Sequence, residues 1–283
     1  MKYIQAASGI FTAILDQEDV TVTVVVGSSR CLLVDTGSTP MQGMHIRQKI
    51  ADLADCPLET VVLTHAHWDH AFGLSAFAGL DTVAGERFTD DIRCAENLRW
   101  AADHGIDIDD VGIPETLLSL IAVRNLGGMT VEIADFTPAH TRCDLVVAVP
   151  ERSALIVGDL VETGPPHFDE TSDLDGWVKS LDALTSLLKP DTVVVLGHGG
   201  CVGPGAVAHF RVGLAAIWDQ AEWCFRQEVP VEQAYEYDNL EWPWDRATVE
   251  QGIRLAYDEL AVRPPVPPMP GPFLNLDERA PRP

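Results

Sequence analysis

The stretch VVLTHAHWDHAFG, residues 61–73, places three histidines and an aspartate within six residues, directly after a short apolar run. Imidazole and carboxylate groups are the ligands that catalytic zinc sites use. The apolar run predicts a strand, and side chains on the loop beyond it can fan toward two adjacent positions. A lone loop histidine would carry little weight, but this cluster predicts a metal site with room for two ions. Its four candidate ligands are His65, His67, Asp69 and His70.

Three more candidate ligands follow at the ends of later β-rich segments. His140 lies in PAHTRCD, Asp159 in VGDLVE and His198 in LGHGG. Each of them alone is weak evidence. Because separate strands deliver them, in this order and after the first cluster, the set as a whole strongly predicts a metal site.

Short apolar, β-branched segments alternate with helical segments along the first 205 residues. Helical spacing occurs at residues 40–55 and 175–190. This pattern predicts an α/β fold in which helices flank a sheet core. The predicted strands lie within 21–27, 31–37, 60–65, 81–92, 129–140, 144–159 and 191–200.

The chain divides into a strand-rich unit and a helical end. Residues 1–205 are predicted to form the catalytic domain, and their mixed, polar segment 93–128 is predicted to be a helical insert or lid. Residues 206–262 are predicted to be a helical C-terminal extension, and 263–283 form a proline-rich tail. Helix packing is the favoured role of the tryptophans in the extension, and a homodimer contact through its helices is the alternative. They are Trp218, Trp223, Trp242 and Trp244.

The formal net charge of −24, from 43 acidic and 19 basic residues, argues against several partner classes. Nucleic acids and anionic membranes are bound through clustered lysine and arginine side chains, which this composition disfavours. The N-terminus lacks the apolar stretch of a signal peptide, and no later segment reaches membrane-spanning length. The six cysteines are widely scattered, which favours reduced thiols. The sequence therefore predicts a cytoplasmic protein that acts on a small-molecule substrate.

These motifs resemble those of the metallo-β-lactamase-fold superfamily, whose pattern is His-x-His-x-Asp-His, a later His, a bridging Asp and a final Gly-His. The resemblance covers residues 10–205 and includes LLVDTG around Asp35. It implies an αββα sandwich with a dinuclear site at one edge of the two sheets, and a role for Asp35 as an acceptor behind the ligands. By this resemblance His65, His67 and His140 would hold the first metal, Asp69, His70 and His198 the second, with Asp159 between them.

The resemblance and the ligand set favour two zinc ions, with iron or manganese as alternatives. Diiron members of the superfamily replace the second histidine of the cluster by glutamate, whereas this chain has His67. Two zinc ions would lower the pKa of a shared water toward about 7 and polarise a carbonyl, so that a metal-bound hydroxide would be the nucleophile. Asp69 is assigned two roles, as a ligand and as a proton shuttle.

The predicted function is hydrolysis of a small-molecule ester, lactone, thioester or amide. The segments GDLVE, LGHGG and a late AYDEL resemble the cyclase-like or sulfur-oxidation-associated branch of the superfamily, although HTRCD has Cys143 where glycine is common. Four alternatives stay open: a single-iron persulfide dioxygenase, a glyoxalase II-like thioesterase, a β-lactamase and a metal-binding scaffold without catalysis. Trp68, Glu162 and His167 are the candidate substrate-binding residues.

Overall fold

Apolar, β-branched runs form two β-sheets in the computed structural model, which describes residues 1–16, 19–237 and 241–263. The first sheet contains seven strands in chain order, antiparallel from β1 to β4 and parallel from β4 to β7. Its strands are β1 (Ile4–Ala7), β2 (Ile10–Ile14), β3 (Thr21–Val26), β4 (Cys31–Val34), β5 (Leu58–Val62), β6 (Asp81–Gly85) and β7 (Thr116–Leu118).

The second sheet contains six strands in the order β13-β12-β11-β10-β9-β8. Only β11 and β12 run parallel, and the other neighbours pair antiparallel. The parallel pair is joined by a helical crossover, which packs on the outer face of the sheet. The strands are β8 (Ile121–Asn125), β9 (Thr130–Asp135), β10 (Leu145–Val149), β11 (Ala154–Gly158), β12 (Val193–Leu196) and β13 (Cys201–Val202).

Helices cover the outer faces of both sheets, and the element order confirms the predicted αββα layers. The helix α1 packs on the first sheet, while α5, α6 and α8 pack on the second. The helices are α1 (Pro40–Leu53), α2 (Trp68–Ala71), α3 (Phe88–Asp91), α4 (Ala95–His104), α5 (Leu174–Leu187), α6 (Pro204–Arg226), α7 (Val231–Ala234) and α8 (Arg246–Val262).

Burial on both faces explains why the strands read as continuous apolar runs. In β4, Leu32 and Val34 join the core between the sheets, whereas Leu33 faces the core under α1. In β10, Val147 lies between the sheets and Val146 lies under the helices of the other side. Successive side chains of a strand point to opposite faces, so a strand covered on both faces needs an apolar residue at every position.

The segment 93–128 is only partly helical, so its prediction as a helical insert or lid is wrong in its second half. It contains α4, but it also supplies β7 to the first sheet and β8 to the second. Both strands are short edge strands, and β8 alternates exposed with half-buried residues. Their sequences, TLL and IAVRN, are mostly apolar, and Ile121 and Val123 are exposed, so the prediction overlooked an apolar run between the polar residues of this segment.

The C-terminal helices lie within residues 204–262, close to the predicted extension, and pack against α5. Trp218 is buried there, and Trp244 donates its indole N–H to the carbonyl of Gly164 at 3.1 Å. These two rings therefore pack within the chain, and a homodimer contact through the helices stays a prediction. The proline-rich tail lies outside the described residues beyond Arg263. In the described part of the chain, no helix is both long and apolar enough to cross a membrane.

Among the described residues, Trp177 of α5 is the largest fully buried side chain, and it lies in the core between the second sheet and the helices packed on it. Its indole N–H donates to the carbonyl of Leu160 at 2.9 Å, and its ring centroid lies 5.1 Å from that of His140. We expect Trp177→Ala to lower the free energy of unfolding by about 3–5 kcal/mol, because it leaves a cavity and an unpaired carbonyl. Urea unfolding followed by circular dichroism measures this change.

The matched control is Trp223→Ala, because the Trp223 side chain is 43% exposed. We expect this substitution to cost less than about 1 kcal/mol. Equal losses in the two variants would contradict the role assigned to the buried ring.

Candidate metal centre

All seven candidate ligands lie at one edge of the two sheets, beyond the ends of strands. His65 and His67 lie in the turn after β5, Asp69 and His70 lie in α2, and His140 lies between β9 and β10. Gly158 ends β11 with a φ of +56°, a conformation that glycine adopts without strain, and Asp159 follows it. Glycine is also required at 197, before His198, because a Cβ there would lie 1.8 Å from Asp159 Oδ1.

The first group of ligand atoms consists of three imidazole nitrogens and one carboxylate oxygen. His67 Nδ1 lies 3.0 Å from His65 Nε2 and 3.1 Å from His140 Nε2. Asp159 Oδ2 lies 3.6 Å from His65 Nε2 and 3.9 Å from His140 Nε2. All four side chains are buried, and their ligand atoms lie close enough together to hold one metal ion.

The second group shares the same carboxylate oxygen. His70 Nε2 and His198 Nε2 lie 3.3 Å apart, and Asp69 Oδ2 lies 3.5 Å from the first and 3.3 Å from the second. Asp159 Oδ2 lies 3.5 Å from His70 Nε2 and 3.2 Å from His198 Nε2. One oxygen of Asp159 is thus within 4 Å of nitrogen atoms in both groups, which is the arrangement that the sequence predicts for a bridging ligand.

Hydrogen bonds behind the ligands fix which ring nitrogen faces the centre in three of the histidines, His65, His67 and His70. His70 Nδ1–H donates to Asp35 Oδ2 at 2.9 Å, as expected for Asp35, and His67 Nε2–H donates to Asp169 Oδ2 at 2.9 Å. The hydroxyl of Thr64 donates to the Asp35 carboxylate and can therefore accept the Nδ1–H of His65 at 3.0 Å. With these nitrogens protonated, each opposite nitrogen presents its lone pair to the centre.

The donor set fits metal ions. Three neutral imidazole lone pairs cannot satisfy one another at 3.0–3.1 Å, because none of them carries a proton to share. Tetrahedral zinc with bonds of about 2.0–2.1 Å would place neighbouring ligand atoms roughly 3.3 Å apart, close to the separations seen in both groups. In addition, Asp159 Oδ1 is buried without a hydrogen-bond partner among the described residues, so that carboxylate keeps acceptor capacity for a cation.

Burial and neighbouring charge set the protonation of the ligands. Burial, and then the positive charge of His70, hold the pKa of His65 well below its usual value, and burial followed by the charge of His67 lowers the pKa of His140 to about 3. Burial alone would raise the pKa of Asp159, but His70 and His198 hold it well below the usual range. His65, His140 and Asp159 therefore offer neutral nitrogens and a carboxylate, the forms that bind metal. Burial would also lower the pKa of His67, but the hydrogen bond with Asp169 and the charge of that carboxylate together raise it.

A cavity of about 440 Å³ opens above the two groups. The three candidate substrate-binding residues Trp68, Glu162 and His167 line it, as do the ligands His67, Asp69, Asp159 and His198. Trp68 is 7% exposed and stacks on Trp100, so its ring mainly packs inside the fold and only its edge reaches the cavity. The sequence did not predict Glu96, which also lines the cavity, or Asp169 behind His67.

The two cysteines near the ligand loops differ in their surroundings. Cys143 is fully buried, and its burial followed by the charge of Asp144 raises its pKa well above the usual value, so it is an unreactive thiol. Cys201, in contrast, is exposed. Gly85 packs against Cys143, and a Cβ on Gly85 would lie 2.3 Å from the Cys143 carbonyl oxygen. In the described part of the chain, neither cysteine belongs to a group that could hold a metal ion.

Comparison with known proteins agrees with this geometry. The family model of the metallo-beta-lactamase superfamily matches residues 15–198, which include all seven candidate ligands. Among solved structures, the chain is similar to a metallo-beta-lactamase from Pontibacter korlensis, with a TM-score of 0.61 and 21% sequence identity over 76% of this chain and 98% of the other. At that identity the likeness concerns the fold alone.

Substitution of Asp159 tests whether its carboxylate is shared by two metal ions. We expect Asp159→Ala to retain about one tightly bound zinc ion instead of about two, because the substitution removes the negative charge that lies between the two groups. Elemental analysis after gel filtration measures the stoichiometry, and circular dichroism checks the fold.

The control is Asp182→Ala, which removes a surface carboxylate paired with Arg211. This variant should bind as much zinc as the unmodified protein. An Asp159→Ala protein that keeps two tightly bound ions would show that the carboxylate does not bridge.

Proposed function

The chain belongs to the metallo-beta-lactamase superfamily, and we propose from its site that it is a zinc-dependent hydrolase of a small-molecule ester, lactone, thioester or amide. One observation carries the proposal: two groups of metal-competent atoms share Asp159 Oδ2 beneath an open cavity. The volume of this cavity, about 440 Å³, is in the range that holds a small organic substrate.

The ligand set supports zinc and acyl hydrolysis. Imidazole nitrogens with carboxylate oxygens suit zinc, and in the described part of the chain no group combines several thiolates, as iron–sulfur or structural zinc sites do. Bound zinc ions would supply Lewis acidity, which lowers the pKa of water and polarises an acyl carbonyl. The buried histidines and their hydrogen-bonded partners would hold this chemistry in fixed positions at the floor of the cavity.

Asp69 is the residue that we propose to move the proton. It lines the cavity, and its Oδ2 lies 3.3 Å from His198 Nε2. Burial would raise its pKa, but the charge of His70 and the hydrogen bond from His198 keep the pKa below the usual value. An ionised carboxylate at this place can accept a proton from attacking water and return it to the leaving group.

Chelation tests the dependence on metal. We expect prolonged dialysis against a chelator to abolish hydrolysis of chromogenic esters, lactones and thioesters, and zinc to restore it, because the attacking water would no longer be acidified. A cephalosporin in the same panel tests the β-lactamase alternative. About two zinc ions per chain would support the hydrolase, and about one iron ion would support the dioxygenase instead. Full activity in metal-free protein would refute the proposal.

Substitution of Asp69 tests the proton shuttle. We expect Asp69→Asn to lower kcat by about 10²–10⁴-fold, because the amide can still point an oxygen at a metal ion but cannot take up a proton. Zinc content measured on the same sample separates this loss from loss of metal. Near-normal kcat with full zinc content would exclude Asp69 as the shuttle. The surface variant Asp182→Asn should retain both activity and zinc.

A further inference from the structure

The wall of the cavity above the metal centre is acidic. Glu96 and Glu162 line it together with Trp68 and His167, and the ligands Asp69 and Asp159 contribute two more carboxylates at its floor. None of the described residues that line this cavity is a lysine or an arginine. A carboxylate on a substrate would therefore meet like charge along the wall, which is costly in a confined site.

The two glutamates on the wall differ in what balances their charge. Glu96 Oε2 accepts a hydrogen bond from His167 Nε2 at 2.8 Å, and Glu96 Oε1 accepts one from the Trp68 indole N–H at 3.1 Å. The imidazole of His167 thus offsets the charge of Glu96. The His198 ring, which also faces the cavity, lies 3.2 Å from Asp159 and 3.3 Å from Asp69.

Among the described residues, Glu162 forms no ion pair with a cation, although the charges of His198 and His167 act to lower its pKa. Its one hydrogen bond among the described residues comes from the backbone N–H of His167 to Oε1 at 3.1 Å, and no described lysine or arginine pairs with it. A half-buried carboxylate without a charged partner is costly unless something else compensates it. A positively charged group on a bound molecule would do so.

The pKa of the Glu162 carboxyl is consistent with binding of a positively charged group. Burial, and then the negative charge of Asp159, raise its pKa to about 7. A cation next to the carboxyl favours the ionised form, so cation binding and ionisation of Glu162 reinforce each other near neutral pH. An anion would have the opposite effect.

The net negative charge of the whole chain also favours positively charged substrates. With 43 acidic and 19 basic residues, the protein carries a formal net charge of −24. Such a charge raises the local concentration of small cations and lowers that of small anions, most strongly inside clefts lined by the same sign. The acidic cavity wall and the acidic surface therefore both favour positively charged substrates.

We propose that Glu162 selects substrates that carry an ammonium group close to the scissile acyl bond, as in an ester, thioester or amide of an amino acid. The catalytic part of this inference rests on the proposed hydrolase function. Glu162 contacts the ammonium group while the carbonyl lies over the metal centre, so the residue determines specificity without taking part in bond cleavage.

Three nitrophenyl esters of equal size test this selection on the full-length, zinc-loaded protein. Their acyl chains end in an ammonium, a methyl and a carboxylate group. We expect kcat/KM for the ammonium ester to exceed that for the neutral ester about tenfold or more, since hydrogen bonds between charged groups are among the stronger polar contacts. The carboxylate ester should be the poorest substrate of the three.

The variant Glu162→Gln keeps the size and the hydrogen-bond acceptor but removes the charge. In it we expect the preference for the ammonium ester over the neutral ester to fall to about threefold or less. Glu222→Gln, which removes a surface carboxylate paired with Arg226, is the control and should keep the full preference. An unchanged preference in Glu162→Gln would overturn the proposal. An equal fall in kcat for all three esters would do so as well, because it would make Glu162 a proton donor.

A binding measurement tests, without requiring hydrolysis, whether Glu162 selects positively charged molecules. Cysteamine, 2-mercaptoethanol and mercaptoacetate are zinc-binding thiols of similar size that carry a positive, neutral and negative group. By calorimetry we expect Glu162→Gln to weaken cysteamine about tenfold relative to 2-mercaptoethanol. The thiols differ in acidity, but this difference cancels when the two proteins are compared.

The two experiments separate the failure of the selection from the failure of the hydrolase. Hydrolysis of the neutral ester without any charge preference would remove the selection and leave the hydrolase standing. If no ester is cleaved but cysteamine binding depends on Glu162, the hydrolase proposal fails and the cation site stands. If cysteamine binding is the same in both proteins, there is no cation site at Glu162.

Discussion

One carboxylate oxygen, Asp159 Oδ2, lies between 3.2 and 3.9 Å from four imidazole nitrogens that come from three different turns. Buried charges and lone pairs at such distances are stable only when protons or cations balance them. The ring nitrogens of His65 and His140 stay neutral because burial lowers their pKa. The centre is therefore built for cations, and the surrounding fold has to hold its ligands against their mutual repulsion.

The two sheets, with the helices packed on them, hold the ligands in place from opposite sides. Asp35 follows β4 of the first sheet and holds both His70 and the backbone N–H of Thr64, the latter at 2.8 Å. On the other side, the loop before α5 carries Asp169, which accepts the N–H of His67, and Trp177 of α5 packs against His140. The C-terminal helices bury the outer face of α5 and so stabilise the position of that loop. Residues far from the centre thus determine its geometry through packing.

The residues themselves predicted an α/β fold and the candidate ligands because both leave a local record, whereas the αββα layers and the division of the ligands into two groups came from the resemblance to the superfamily. Strands buried on both faces are apolar at every position, and seven metal-competent residues follow strand ends in a fixed order. Contacts between residues that are far apart in the sequence leave no such pattern. Glu96 lies on α4, 71 residues from the imidazole of His167 that it contacts, and no spacing connects them. The strands β7 and β8 were missed for another reason: they are only three and five residues long, and a short apolar run such as LLSLIAV does not distinguish strand from helix.

The metal ligands and the residues of the cavity wall are largely different, so substrate preference can change while the metal site is kept. The ligands are constrained by the ions, by each other and by close contacts such as that between Gly197 and Asp159, so few changes are tolerated among them. Glu162 and His167 lie in the loop after β11, where one backbone hydrogen bond links them and no regular sheet pairing restrains them. A change of charge in this loop alters what the cavity accepts while the metal-binding atoms stay in place. Under the proposal made for Glu162, substrate class depends on the charge of the cavity wall and not on the metal motif.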